Sequence, residues 1–430
     1  MTSINEYWTC VVYFVVALPV EPSNNTGYGL PPAHTGVRLL DWLDNVSTYF
    51  VHLERRFDPF FRPAFDAVSR QFFTNMITTL INLNRKDEGL KLAEEKIQSD
   101  EKAHLDDIIV TMGNQMRKLW RPGEYQRGGN TKTHGIVRGE FIVRGDAPNH
   151  MRRGLFIEPQ TYPAWVRFSG PGPYITPDID DVGFMSISIK LMGVPGPKLL
   201  DDEKFTQDMF GVSTPTFVTP DTKANAQLQY WSYKNAQLFY FLNFKHPHVL
   251  DFIMQGLWIK TQSSPLEGEY FSCVPYLLGE GQAMQYSVQP RLKTRTRVPG
   301  LPLRPPDNYL RDAMVATLSK QDVEFDILLQ VQTDPFRMPI ENNAVYWPPK
   351  LSPRVPAAIL RIPRQKFDSP EQLAFAKVLS YNPWHCIAEH RPLGNQSRAR
   401  LRLYHELSTL RQKMNRVEHY EPNGSETFPG

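Results

Sequence analysis

Apolar residues recur at helical spacing from Val37 to Leu53 and from Phe61 to Leu83, and Leu90–Leu119 is charged on one face and apolar on the other. The first third of the chain therefore reads as helix. From Thr133 the pattern shortens to alternating or β-rich runs at Gly135–Val143, Trp165–Ser169, Phe184–Leu191, Met284–Val288, Val323–Val331 and Ala357–Ile362, punctuated by Pro and Gly. Strands spread this widely suit a barrel. Between them, Ala224–Lys260 is aromatic-rich and helical in pattern, too long for a plain loop. Arg, Leu, Glu and Lys dominate Arg398–Met414 and mark a last helix. The chain has no internal repeat and no low-complexity tract.

Composition changes this picture little. A chain of 430 residues can bury a cofactor-sized cavity. Its 48 Lys and Arg against 45 Asp and Glu leave a charge of +3, so composition argues for neither a nucleic-acid nor an anionic-membrane footprint, and any basic site must be local. Cys10, Cys273 and Cys386 lie far apart and show neither metal-knuckle nor disulfide spacing, which favours a reducing, cytoplasmic setting. The glycosylation sequons at Asn24, Asn45, Asn395 and Asn423 weigh against that only if the chain is secreted. The apolar run Tyr7–Val20 has the length of a signal-peptide core and falls short of the roughly 20 residues that span a bilayer. It lacks a basic flank and reads as a weak membrane or secretion signal or, equally, as an alternative first exon or an imprecise gene boundary. Glu421–Gly430 is polar and reads as a loose tail.

On the last helix, Arg400, Tyr404 and Arg411 stand at i, i+4 and i+11 and project from one face. A phenol titrates near ~10, and a fixed positive charge beside it favours the phenolate, the form that ligates ferric iron. Spacing alone fits a solvated basic face with one amphipathic Tyr at least as well.

The neighbouring residues add more. Asn382-Pro-Trp-His385, Glu389-His-Arg-Pro-Leu-Gly394, Arg398-x-Arg400 and Tyr404 closely resemble, in order, the small catalase-related hemoproteins. The resemblance implies that Tyr404 is the proximal iron ligand, that Arg400 pairs with its phenolate and that Arg411 meets a heme propionate. Lys132-Thr-His-Gly-Ile-Val-Arg-Gly-Glu-Phe141 is similar to the strand carrying that family's distal histidine, here His134. A neutral imidazole above a metal can accept a peroxide proton and return it to the departing oxygen. Trp165-Val-Arg-Phe-Ser169 resembles the strand whose arginine, matching Arg167, binds a propionate, a carboxylate that a guanidinium fork suits. Asp181-Val-Gly-Phe184, Ala283–Ser287 and Tyr346-Trp-Pro348 also echo family text, and the resemblance runs from about Leu105 to Asn415.

Two departures bear on chemistry. Thr133 precedes the distal histidine where ordinary catalases have Val, as in relatives that rearrange fatty acid hydroperoxides; its hydroxyl is expected to bond the imidazole and weaken it as a base toward hydrogen peroxide. The distal asparagine of catalases should fall in Phe210–Phe217, which contains no Asn, so Val212 or Ser213 takes its place.

The expectation is an α+β protein: an antiparallel β-barrel of heme-dependent catalase type with N-terminal and inserted helices and no C-terminal flavodoxin-like domain. Residues 1–35 form an apolar segment and linker, 36–120 a helical extension, 121–415 the barrel domain and 416–430 a flexible tail. Heme b lies between the Thr133–Phe141 strand and the Arg400–Arg411 helix, and the substrate is a lipid or other organic hydroperoxide converted to an allene oxide or epoxy alcohol. A mini-catalase, a secondary-metabolite oxidase and a non-catalytic heme-binding protein are the alternatives. The reading leaves room for membrane association through the N-terminus and for a homodimer. His385, Cys386, Glu389 and His390 crowd like metal ligands but match no zinc pattern. His246-Pro-His248 lacks a third ligand, Gly279-Glu-Gly281 lacks the rest of a dinucleotide fingerprint, and the aromatics of Tyr230–Phe244 read as core or an access channel.

Overall fold

A computed structural model of the chain describes residues 32–181, 183–243, 246–292 and 295–428, so Tyr7–Val20, Cys10 and Asn24 lie outside the described residues. The strands are β1 (Thr133–Val143), β2 (Thr161–Ser169), β3 (Ser186–Met192), β4 (Thr206–Val212), β5 (Tyr270–Phe271), β6 (Tyr276–Leu277), β7 (Ala283–Pro290), β8 (Val323–Val331) and β9 (Val355–Ile362). All pair antiparallel. β1 joins β2 to β9, and β5 pairs with both β4 and β7, which closes an eight-stranded barrel with β6 attached outside the ring to β7. The expected α+β class, an antiparallel barrel with N-terminal and inserted helices, is the observed one.

Alternation decides which side chains fill the barrel. Val166 and Phe168 of β2, Ile187 and Ile189 of β3, Phe325 and Ile327 of β8 and Leu360 of β9 point into one continuous core. Residues of the other parity, among them Arg167, Ser188 and Lys190, face outward yet are buried, because helices and loops cover that wall. The barrel interior is solid, so any cavity must lie on its outside.

The helices are α1 (Arg38–Val68), α2 (Arg70–Leu83), α3 (Glu101–Leu119), α4 (Thr222–Tyr233), α5 (Leu238–Phe241), α6 (Val249–Trp258), α7 (Tyr309–Leu318), α8 (Pro370–Val378) and α9 (Asn395–Asn415). Periodicity predicts a break between Leu53 and Phe61, but α1 runs through it and through Pro59 and Pro63. Its polar face is held from outside: Asp58 accepts from the Thr261 N–H at 2.7 Å and the Arg62 guanidinium donates to the Leu257 carbonyl at 2.5 Å. Those bonds outweigh the two amides the prolines remove. Residues 90–100 are not helical, contrary to expectation. Distant side chains capture their amides, Ala93 N–H by Gln332 at 2.8 Å and Lys96 N–H by Glu341 at 2.9 Å. The C-terminal residues expected to be loose are pinned to the barrel: Glu426 accepts from the Trp165 indole at 2.9 Å, and Phe428 packs on the Trp165 ring.

Candidate functional site

The chain enters α9 through Gly394, at φ +84°, where a Cβ would stand 2.4 Å from the Ile340 carbonyl oxygen. Only glycine fits this turn. Ahead of it, the Trp384 indole donates to the Ser397 carbonyl at 2.8 Å, and behind it Arg398 is clamped by Glu95 (2.8 Å), Glu101 (2.5 Å) and Glu341 (2.9 Å). Asn395, the residue of a predicted sequon, is buried and bonded to Glu341. The helix axis and rotation are thereby fixed.

The face of α9 so presented walls a cavity of about 290 Å³ whose other side is the outer surface of β2, β3 and β4. Arg400, Tyr404 and Arg411 all line it, with Leu403 and Leu407 between them. The Tyr404 ring packs edge-on against Phe210 with centroids 5.8 Å apart, and among the described residues its hydroxyl has no hydrogen-bond partner. The Arg400 guanidinium sits 5.2 Å from the Phe217 ring centroid instead of on the phenol oxygen. It holds no carboxylate among the described residues.

At the opposite end three more guanidinium groups converge. Arg167 donates to the Asn130 carbonyl at 2.6 Å, Arg411 to Ser380 Oγ at 2.9 Å and to the Lys377 carbonyl, and Arg127 to the carbonyls of Ala376 (2.9 Å) and Leu379 (2.5 Å). All three line the cavity, and among the described residues none has a carboxylate partner. Burial and then mutual repulsion push Arg167 and Arg411 well below the usual arginine range, and burial brings Arg127 down to about 10. Buried like charges without counterions cost several kcal/mol each unless an anion joins them. Sequence reasoning found Arg167 and Arg411 but missed Arg127. The only local signal was Arg127-Gly-Gly129, a cation beside flexible backbone.

His134 and Thr133 lie behind the cavity wall and do not line it. A register shift in β1 between Thr133 and Gly135 rotates this part of the strand relative to β2. The Thr133 hydroxyl accepts from Arg167 Nε at 3.0 Å and Nη2 at 2.8 Å, so it positions the guanidinium and not the imidazole, a correction to the expected contact. The His134 ring is 1% exposed and neither nitrogen has a hydrogen-bond partner among the described residues. Burial, with Lys132, Arg311 and Arg167 nearby, pushes its pKa well below the usual value and keeps it neutral. A Cβ on Gly170 would stand 3.6 Å from His134 Nε2, which leaves Gly170 and Pro171 between the ring and the cavity. The cavity thus borders β2–β4 in place of the expected β1.

In the segment where an asparagine was expected, Val212 faces the cavity, whereas Ser213 Oγ turns away to accept from the Met185 N–H at 2.9 Å. The crowded histidines resolve into structural roles. His390 Nε2 accepts from the Leu155 N–H at 2.9 Å, and burial lowers its pKa to about 4. His385 contacts Asp202 and Asp208, both at 3.0 Å. Glu203, Asp208 and His385 stand close enough to hold an ion, but the Lys190 ammonium already contacts both carboxylates, at 2.9 Å for Asp208, and supplies the cation. His248 stacks on Tyr240 and pairs with Asp251 at 3.0 Å, and Gly279 and Gly281 form the turn between β6 and β7.

No protein-family model matches the chain, and no curated protein matches its sequence. Solved structures do match its fold. A fungal catalase is similar at TM-score 0.53 and 15% identity, over 70% of this chain and 63% of that one. Catalase A from Saccharomyces cerevisiae is similar at TM-score 0.55 and 14% identity, over 80% of this chain and 72% of that one. The fold is therefore that of catalases, and the chain spans under two thirds of the fungal enzyme's length.

Proposed function

We propose that the chain is a heme-dependent, catalase-like enzyme that transforms organic hydroperoxides, fatty acid hydroperoxides foremost. One observation carries this reading: among the described residues, a phenol without a hydrogen-bond partner and three guanidiniums without counterions, Arg167 and Arg411 buried and Arg127 partly so, line opposite ends of one cavity with apolar side chains between them. That donor set fits a group with an oxygen-seeking metal at one end, a hydrophobic body and paired carboxylates at the other. Heme b has this pattern, and when bound it supplies the iron chemistry that cleaves an O–O bond.

The protein's own residues divide the remaining work. Tyr404 would hold the metal through its phenolate oxygen, and Arg400, one turn away, would balance the phenolate charge. Arg127, Arg167 and Arg411 hold the carboxylates, with Thr133 fixing the Arg167 fork. His134, kept neutral by burial, accepts the hydroperoxide proton at a ring nitrogen and returns it to the departing oxygen. For this its ring must reach the cavity across Gly170 and Pro171. A lipid substrate is favoured over hydrogen peroxide because Val212 places an apolar side chain where a polarising amide was expected.

Heme titration tests the reading first. The wild-type protein is expected to develop a Soret band that Tyr404→Phe lacks, while circular dichroism of the two stays the same. The heme-loaded protein is then given fatty acid hydroperoxides and hydrogen peroxide in parallel, with products identified by mass spectrometry and oxygen evolution recorded. No Soret band in the wild type ends the cofactor proposal. Rapid oxygen evolution without lipid products ends the substrate proposal in favour of a mini-catalase.

A further inference from the structure

Helix α1 is inside out. Its buried residues are Asp44, Arg55, Asp58 and Arg62, whereas Trp42, Tyr49, Phe57, Phe60 and Val68 are exposed, Phe60 by 68% and Val68 by 82%. The exposed positions are separated by 7, 8, 3 and 8 residues, sums of the three- and four-residue steps that keep one helix face, so they form a single apolar stripe from Trp42 to Val68, roughly 39 Å at the helical rise. Helix α2 extends it with Phe72 and Leu83, exposed by 66% and 75%. Apolar faces of this extent mark a binding surface.

The flanking loop identifies the occupant. Arg295, Arg297 and Arg304 are exposed, and among the described residues none forms an ion pair. The loop is tied to α1 where Arg56 donates to the Leu303 carbonyl at 2.6 Å, and Leu303 itself is 83% exposed. An apolar stripe beside unpaired arginines, with Trp and Tyr toward one end, matches an anionic lipid interface. No described helix is long and apolar enough to cross a membrane, so the contact is with the surface plane. In sequence, the apolar run Tyr7–Val20 precedes this helix.

We propose that α1 and α2, with the 295–304 loop, form a face that rests in the headgroup region of an anionic bilayer. The inference stands on residues outside the cavity and does not depend on the cofactor. It also links to the cavity: α6 contributes Gln255 to the cavity wall and, through the Trp258 indole, bonds Thr74 of α2 at 3.2 Å. A substrate dissolved in lipid would meet the protein one helix away from the cavity.

Vesicle flotation of the full chain without heme tests this, using phosphatidylcholine alone and phosphatidylcholine with about one third phosphatidylserine. The wild type is expected to float with the anionic vesicles. Phe57→Glu/Phe60→Glu should lower that partition at least ~tenfold with an unchanged circular dichroism spectrum. Arg295→Glu/Arg297→Glu should remove the preference for anionic lipid, and Phe60→Ser serves if the double variant misfolds. The proposal is overturned if the wild type does not float. Equal flotation of wild type and face variants also overturns it, because Tyr7–Val20 alone would then suffice. A dimer that the face variants dissociate, without vesicle binding, overturns it in favour of a second copy of the chain.

Discussion

The His385 cluster gives a stability prediction whose size and sign follow from geometry. The ring is 1% exposed and lies 3.0 Å from a carboxylate oxygen of both Asp202 and Asp208. Burial opposes its charge, but these hydrogen bonds win and push its pKa up to about 9. Against an unfolded value near ~6.5, that difference corresponds to about 3 kcal/mol. Because the folded value is the higher one, the contribution is complete below pH ~6.5 and disappears as pH rises to about 9. Urea unfolding from pH 6 to pH 9.5 should therefore show stability falling by ~1.4 kcal/mol per pH unit between those limits. His385→Gln should be less stable at pH 6, since three buried or half-buried carboxylates lose a cation, but its profile should be flatter by that slope. Equal slopes for wild type and variant would refute the argument, whatever their absolute stabilities.

Other outcomes follow from single contacts. Arg127→Met, which removes one charge-assisted partner for an anion, should weaken heme binding ~10–100-fold in a Soret titration while leaving the heme-free protein folded. Thr133→Val removes the hydroxyl that accepts twice from Arg167 and should weaken heme affinity about tenfold. An unchanged affinity would mean that the Arg167 fork needs no such support. Gly394→Ala meets the Ile340 carbonyl at 2.4 Å and a left-handed φ, and should cost about 2–3 kcal/mol or more, read as a lowered Tm.

The barrel was legible because its strands alternate: Val323–Val331 and Ala357–Ile362 present one apolar face, and the period sets which side chains face the core. The α9 face was legible because Arg400, Tyr404 and Arg411 share it by helical geometry. What failed depended on contacts remote in sequence. Residues 90–100 look helical until Gln332 and Glu341 claim their amides, and α1 looks interrupted between Leu53 and Phe61, where the apolar spacing lapses, until Thr261 and the Leu257 carbonyl hold its polar side. Thr133 goes to Arg167 because the irregular pairing of β1 with β2 sets its direction, which spacing along one strand cannot reveal. Arg127 escaped notice for a similar reason: its partners are the carbonyls of Ala376 and Leu379, far along the chain.

Because β2 is packed on both sides, Val166 and Phe168 answer to the core while Arg167 between them answers to the cavity. Neighbouring codons in that strand are thus under separate demands. The outward set can drift toward new substrates while the inward set goes on preserving the scaffold, so pocket chemistry and foldability can evolve on independent schedules.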